Sequence, residues 1–147
     1  MNNFIYENRT KVYFGQGCVK EFLACLVRDA ENIMLAYGQG SVKRNGIYDE
    51  VLNILMKEGK HVTEFPGIMP NPTYQKVMEG ARLAREEKTE MILGVIVTTA
   101  GTGSECNGAA VITNKEQKVK TGYDYPKCNP VFALMDPAYT FSVPGGQ

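Results

Sequence analysis

The stretch NIMLAYGQGS, Asn32 to Ser41, decides the fold. Asn32 to Tyr37 is a short apolar run with no polar residue after Asn32, and Gly38-Gln39-Gly40 closes it. A run of that length ending in glycines fits a buried strand that turns into a loop. Upstream, Val19, Phe22, Leu23 and Leu26 fall at i, i+3, i+4 and i+7, which predicts an amphipathic helix over 18–30. Downstream, Ile47, Val51, Ile54 and Leu55 repeat that spacing up to Glu58-Gly59, and a strand is expected at His61 to Phe65.

Pro66, Pro70 and Pro72 punctuate the next loop, and Thr73 is the expected N-cap of a helix carrying Tyr74, Val77, Met78 and Ala81. Met91 to Val97 (MILGVIV) is apolar throughout, as expected of a central strand covered on both faces. The order is therefore β-α-β-α-β, which predicts a Rossmann-like parallel sheet with helices on both faces. Beyond Thr98 the pattern turns β-rich, with strands expected at 109–113 and 131–135 about a polar turn at 114–118. The 147 residues are read as one α/β domain, 1–147.

Composition narrows the function classes. Sixteen basic residues balance sixteen acidic ones, so nothing favours a nucleic-acid partner. No apolar run approaches the roughly 18–20 residues of a membrane helix, and a cytoplasmic protein with no membrane partner is expected. Cys18, Cys25, Cys106 and Cys128 are too scattered for a disulfide framework and read as reduced thiols. The single histidine, His61, lies at the start of a strand without partners at metal-ligand spacing and reads as structural.

Ligands of parallel α/β sheets sit outside the carboxyl ends of strands. Gly38, Gly40 and Ser41 form one such loop, suited either to a phosphate or ribose approached by backbone or to a tight turn that needs glycine. Pro70-Asn71-Pro72 is a stiff turn into a helix that also aims the Asn71 amide. Thr98-Thr99-Ala100-Gly101-Thr102-Gly103-Ser104-Glu105 packs four hydroxyls and two glycines into eight residues, a composition for a polar ligand held close to backbone. No Ser-His-Asp or Cys-His arrangement can be assembled, so no catalytic residue is assigned.

Taken together, TKVYFGQG (10–17), YGQGSVKRNGIYDEV (37–51), FPGIMPNPTY (65–74), TTAGTGSECNGAAVITN (98–114) and FALMDPAYTFSVP (132–144) resemble the iron-containing (group III) alcohol dehydrogenases, most closely their butanol dehydrogenase-like branch. The resemblance implies a shortened form of the dehydroquinate synthase-like N-terminal domain, which binds NAD(P) and faces a helical domain holding iron or zinc. It implies hydride transfer between the nicotinamide and a small alcohol or aldehyde. It places Gly38, Gly40 and Ser41 by the adenosine ribose, Asn71 on the adenine side, Thr98, Thr99 and Thr102 against the cofactor, and Asn107, Val111 and Lys120 further along it.

Gly38 stands where NAD-preferring members often carry an acid, so NADP is expected over NAD, with Ser41, Lys43 or Arg44 in reach of its 2′-phosphate. Two departures are also expected. Leu93-Gly94-Val95 joins two strands that, in the family, are separated by a G-G-G-S phosphate loop and its helix. None of the four metal ligands, one Asp and three His, has a counterpart, so metal: none is the expectation for this chain, with little activity on its own. The alternative is a non-catalytic nucleotide-binding or dimerising remnant, a homodimer being expected through the strand near 4–14 that carries Phe4, Tyr6, Val12 and Phe14.

Overall fold

The computed structural model describes residues 7–38, 40–95 and 105–140. Its centre is a three-stranded parallel sheet in the order β3-β2-β4, built from β2 (Asn32–Tyr37), β3 (His61–Phe65) and β4 (Met91–Val95). β2 pairs with both neighbours, Leu35 standing opposite Glu64 on one side and Leu93 on the other. Ile33 to Tyr37 are consequently all buried, as the uninterrupted apolar run requires.

Alternation along the strands divides the sheet into two faces. Ile33, Leu35, Tyr37, Met91, Leu93 and Val95 share the first, which is covered by α1 (Cys18–Leu26) and α3 (Ile47–Lys57) through Val19, Leu23, Ile47, Val51 and Leu55. Each such fully buried aliphatic side chain contributes about 1.5–3 kcal/mol by leaving water. On the second face Met34, Ala36 and Phe65 are covered by α4 (Tyr74–Glu86), from which Leu83 and Ala84 reach inward. Gly80 of α4 sits on the Phe65 ring so closely that a Cβ there would lie 2.9 Å from Cε1. The expected helices on both faces are thus present. A short helix, α2 (Ser41–Arg44), lies between β2 and α3 and was not separately legible in the sequence.

MILGV is not a central strand covered on both faces. Among the described residues β4 has only β2 as a partner, and Ile92, on the α4 side of the sheet, is 63% exposed. The reason is that α4 packs over β2 and β3, leaving the outer half of that face bare. The first helix also stops at Leu26 rather than Ala30: the Val27 N–H closes onto the Leu23 carbonyl, and Ala30 then bonds Val27 in a turn.

The remaining strands form two small sheets. β1 (Lys11–Phe14) pairs in parallel with β7 (Phe132–Met135), and β5 (Ala109–Asn114) pairs antiparallel with β6 (Val119–Asp124). Asp136, just past β7, is buried and accepts from the Gly17 and Ala138 N–H groups at 2.7 and 2.9 Å, fixing the start of α1 to the end of β7. The Tyr139 hydroxyl donates to Glu50 of α3 at 2.6 Å, and burial followed by this bond pushes the phenol pKa up. Phe14 and Val12 of β1 are 73% and 43% exposed. All four cysteines are free thiols, and among the described residues no helix is long and apolar enough to cross a membrane.

Candidate functional site

An open cleft of about 450 Å³ lies at the carboxyl ends of β2 and β3, lined by Tyr37, Gly38, Gly40, Lys43, Glu64, Pro66 and Gly67. That volume is within the range of small-molecule sites, roughly 300–1,000 Å³. Its floor is backbone. The Gly38 carbonyl accepts from the Gly67 N–H at 3.2 Å, and the Ile68 N–H reaches back to the Tyr37 carbonyl at 3.1 Å. These bonds draw the 66–68 loop so close that a Cβ on Gly38 would stand 3.3 Å from the Ile68 carbonyl oxygen. Gly67 has φ +79°, the left-handed region that favours glycine.

One wall of the cleft is polar and interlocked. The Tyr37 hydroxyl donates a short hydrogen bond to Glu64 Oε2, and Tyr48 of α3 is a second hydroxyl bonded to that carboxylate. Lys43 Nζ lies 3.8 Å from the same oxygen and stands over the Tyr48 and Tyr37 rings at 4.3 and 5.2 Å. The two rings meet at 5.2 Å with a 59° tilt. The tyrosine hydroxyls, with Lys43 adding to them, hold the Glu64 pKa below its ordinary value. Burial, then the bond to the Glu64 carboxylate, pushes the Tyr37 and Tyr48 phenols up to about 12.

The structure brings together some of the residues singled out in the sequence and separates others. Gly38 and Gly40 line the cleft, and Ser41 follows as the first, exposed residue of α2. Asn71 is exposed outside that lining and has φ 52°, a left-handed conformation that asparagine tolerates better than most residues. Asn107 turns its Oδ1 onto the Ala109 N–H at 3.0 Å. Val111 and Lys120 project from the same side of the β5-β6 hairpin, since Val111 pairs with Gly122 and Thr113 with Lys120. That hairpin meets the rest of the chain at the Thr73–Thr113 bridge beside the start of α4, not at the glycine cleft. Thr98, Thr99 and Thr102 lie outside the described residues.

Lys43, expected within reach of a 2′-phosphate, lines the cleft, whereas Tyr37, Glu64 and Gly67 were not anticipated. Glu64 was findable by alternation: it shares a strand side with Val62, which packs into the core, so an acid at this position stands on a buried face near a strand's carboxyl end.

Fit to a nicotinamide nucleotide rests on the glycine floor, which leaves backbone where side chains would otherwise fill the space, and on the hydroxyl, ammonium and carboxylate along its edge. Fit to a catalytic metal is different. Among the described residues no three His, Cys, Asp or Glu come together in a group that could hold one, and no step is derived through a metal.

A parallel sheet with helices on both faces and a glycine-floored cleft at its strand ends defines an α/β protein of Rossmann-like type. The chain belongs to the iron-containing alcohol dehydrogenase family, whose model matches residues 9–95 and 93–137 in two pieces that meet at Leu93 to Val95. It is 34% identical to the probable NADH-dependent butanol dehydrogenase 1 of Bacillus subtilis over 184 aligned positions, covering 98% of this chain and 48% of that protein. It is 31% identical to the NADPH-dependent aldehyde reductase YqhD of Escherichia coli, covering 100% of this chain and 48% of the relative.

The crystal structure of the NADH-dependent butanol dehydrogenase A of Thermotoga maritima superposes with a TM-score of 0.88 at 30% identity, over 98% of this chain and 46% of that one. The chain therefore spans about half the length of the relatives it matches. Its alignments run over more positions than it has residues, so the relatives carry a stretch without a counterpart here, and the family match divides at Leu93 to Val95, at the end of β4.

Proposed function

We propose that this chain is the nucleotide-binding part of an NAD(P)H-linked alcohol dehydrogenase or aldehyde reductase, with residues 1–147 acting as one cofactor-side α/β domain. The observation that carries this reading is the glycine-floored cleft of Gly38, Gly40 and Gly67 at the carboxyl ends of two adjacent parallel strands. Gly38 and Gly40, with Ser41 next to them, take the adenosine ribose. Asn71 takes the adenine side. Thr98, Thr99, Thr102, Asn107, Val111 and Lys120 take the remainder of the cofactor, the last two supported by their common side of the hairpin.

The bound nicotinamide supplies or accepts a hydride, the small alcohol or aldehyde being the other partner. The residues of this chain bind and orient the nucleotide. Gly38 sets no carboxylate against a 2′-phosphate, which supports NADP, and Lys43 is the cation at the cleft that would meet it. Iron, or zinc in its place, belongs to the complete family enzyme rather than to these residues. The exposed Val12 and Phe14 of β1 support a homodimer, and a cytoplasmic location goes with this reading.

Fluorescence titration of the purified chain with NADH and with NADPH tests the reading. Saturable binding that Lys120→Ala weakens supports it, and a folded chain that binds neither nucleotide overturns it. A second reading, nucleotide binding without turnover, is favoured by the lack of a metal-capable group among the described residues. Nucleotide binding without stoichiometric uptake of iron or zinc would select it.

A further inference from the structure

We propose that Glu64 is a specificity-determining residue of the cleft: by pairing with Lys43 it offsets the NADP preference that Gly38 gives, so that NADH is accepted alongside NADPH. The inference rests on the reading that the adenosine ribose lies over Gly38 and Gly40. Of the described residues lining the cleft, Lys43 is the one cation and Glu64 the one carboxylate, and they stand 3.8 Å apart. Arg44 borders the same floor, its guanidinium 2.8 Å from where a Gly40 Cβ would project.

A 2′-phosphate brings about two negative charges beside a carboxylate and must share the lysine with it, whereas a 2′-hydroxyl is a donor that a carboxylate accepts. An exposed ion pair would ordinarily swing apart at little cost. This one is held: Tyr37 and Tyr48, 4% and 8% exposed, bind the carboxylate from the protein side, and the Lys43 ammonium rests over their rings. Glu64 thus occupies, from the neighbouring strand, the electrostatic role left open by the missing side chain at Gly38.

The test is the ratio of the dissociation constants for NADPH and NADH, read by nucleotide fluorescence on the wild-type chain and on Glu64→Gln, Glu64→Asp and Lys43→Met. Glu64→Gln keeps an acceptor for the tyrosines and removes the charge, and should tighten NADPH relative to NADH by about tenfold. Glu64→Asp keeps the charge and should hold the ratio near wild type, and Lys43→Met should move it toward NADH. A ratio unchanged in Glu64→Gln while the wild-type chain binds both nucleotides overturns the role of Glu64 alone. Failure of the folded wild-type chain to bind either nucleotide overturns the cleft reading and this inference with it.

Discussion

Tyr37 and Glu64 are joined by a hydrogen bond across two parallel strands, on the side of the sheet that α3 covers. The Tyr37 phenol is held up to about 12, above its ordinary 10, by burial and by the carboxylate it binds. A phenol raised in the folded state stabilises the fold below pH 10 and loses that contribution as pH rises through about 12. Absorbance titration at alkaline pH should therefore show Tyr37 and Tyr48, of the eight tyrosines, ionising near 12, with Tyr139 delayed as well, and Tyr37→Phe should remove one of the pair. Ionisation of all eight near pH 10 by a chain still folded there would contradict this.

Glu90 closes the amino end of the central strand by accepting from the Glu31 and Asn32 N–H groups at 2.6 and 3.0 Å. These bonds hold its carboxyl below the usual range. A depressed carboxyl contributes stability above its unfolded pKa and loses it as pH falls through the folded one. Glu90→Gln should lower Tm at pH 7, and the gap from wild type should narrow as pH falls below the ordinary glutamate range, through the depressed pKa at which the wild-type carboxyl takes up its proton.

Thr73 caps α4, its hydroxyl accepting from the Lys76 N–H at 3.2 Å. The same residue bridges to Thr113 and so ties the hairpin to the helix. Thr73→Ala should cost about 1 kcal/mol in denaturant unfolding, with Thr73→Ser recovering most of it. Equal losses in both variants would place the effect in the threonine methyl rather than the cap.

Leu35 and Ile92 lie on the two strands of one parallel pair and should answer oppositely to truncation. Leu35 is fully buried, and Leu35→Ala should cost about 2–5 kcal/mol. Ile92 is 63% exposed on β4, and Ile92→Thr should stay within about 0.5 kcal/mol while reducing self-association at high concentration. A large loss from Ile92→Thr in the monomer would show that this face of β4 is covered.

Binding of NADH should respond to Gly38→Asp. The new Cβ would stand 3.3 Å from the Ile68 carbonyl, a contact the 66–68 loop must relieve by a few tenths of an ångström. The added carboxylate should weaken NADPH by at least tenfold relative to NADH, measured by fluorescence titration. A ratio unmoved by the substitution would place the ribose away from Gly38.

Apart from the short α2, the order of elements from α1 to β4, the cap at Thr73 and the family were all legible in the sequence, because helical spacing, short apolar runs and loop motifs are local properties of the chain. NIMLAY read as a buried strand and is one. Three features were decided only by tertiary structure. MILGV looks like NIMLAY in composition, yet among the described residues only β2 has a strand on each side, so a similar apolar run is central in one case and at the edge in the other. The candidates Val111 and Lys120 separated from Gly38 and Gly40 because strand pairing, set by residues distant in sequence, places the hairpin at the start of α4. Tyr37, Lys43, Tyr48 and Glu64 come from four different elements, and no sequence spacing announces that they meet. Their meeting is a consequence of parallel register between β2 and β3 and of α3 packing across that side, which brings two hydroxyls and an ammonium to one carboxylate.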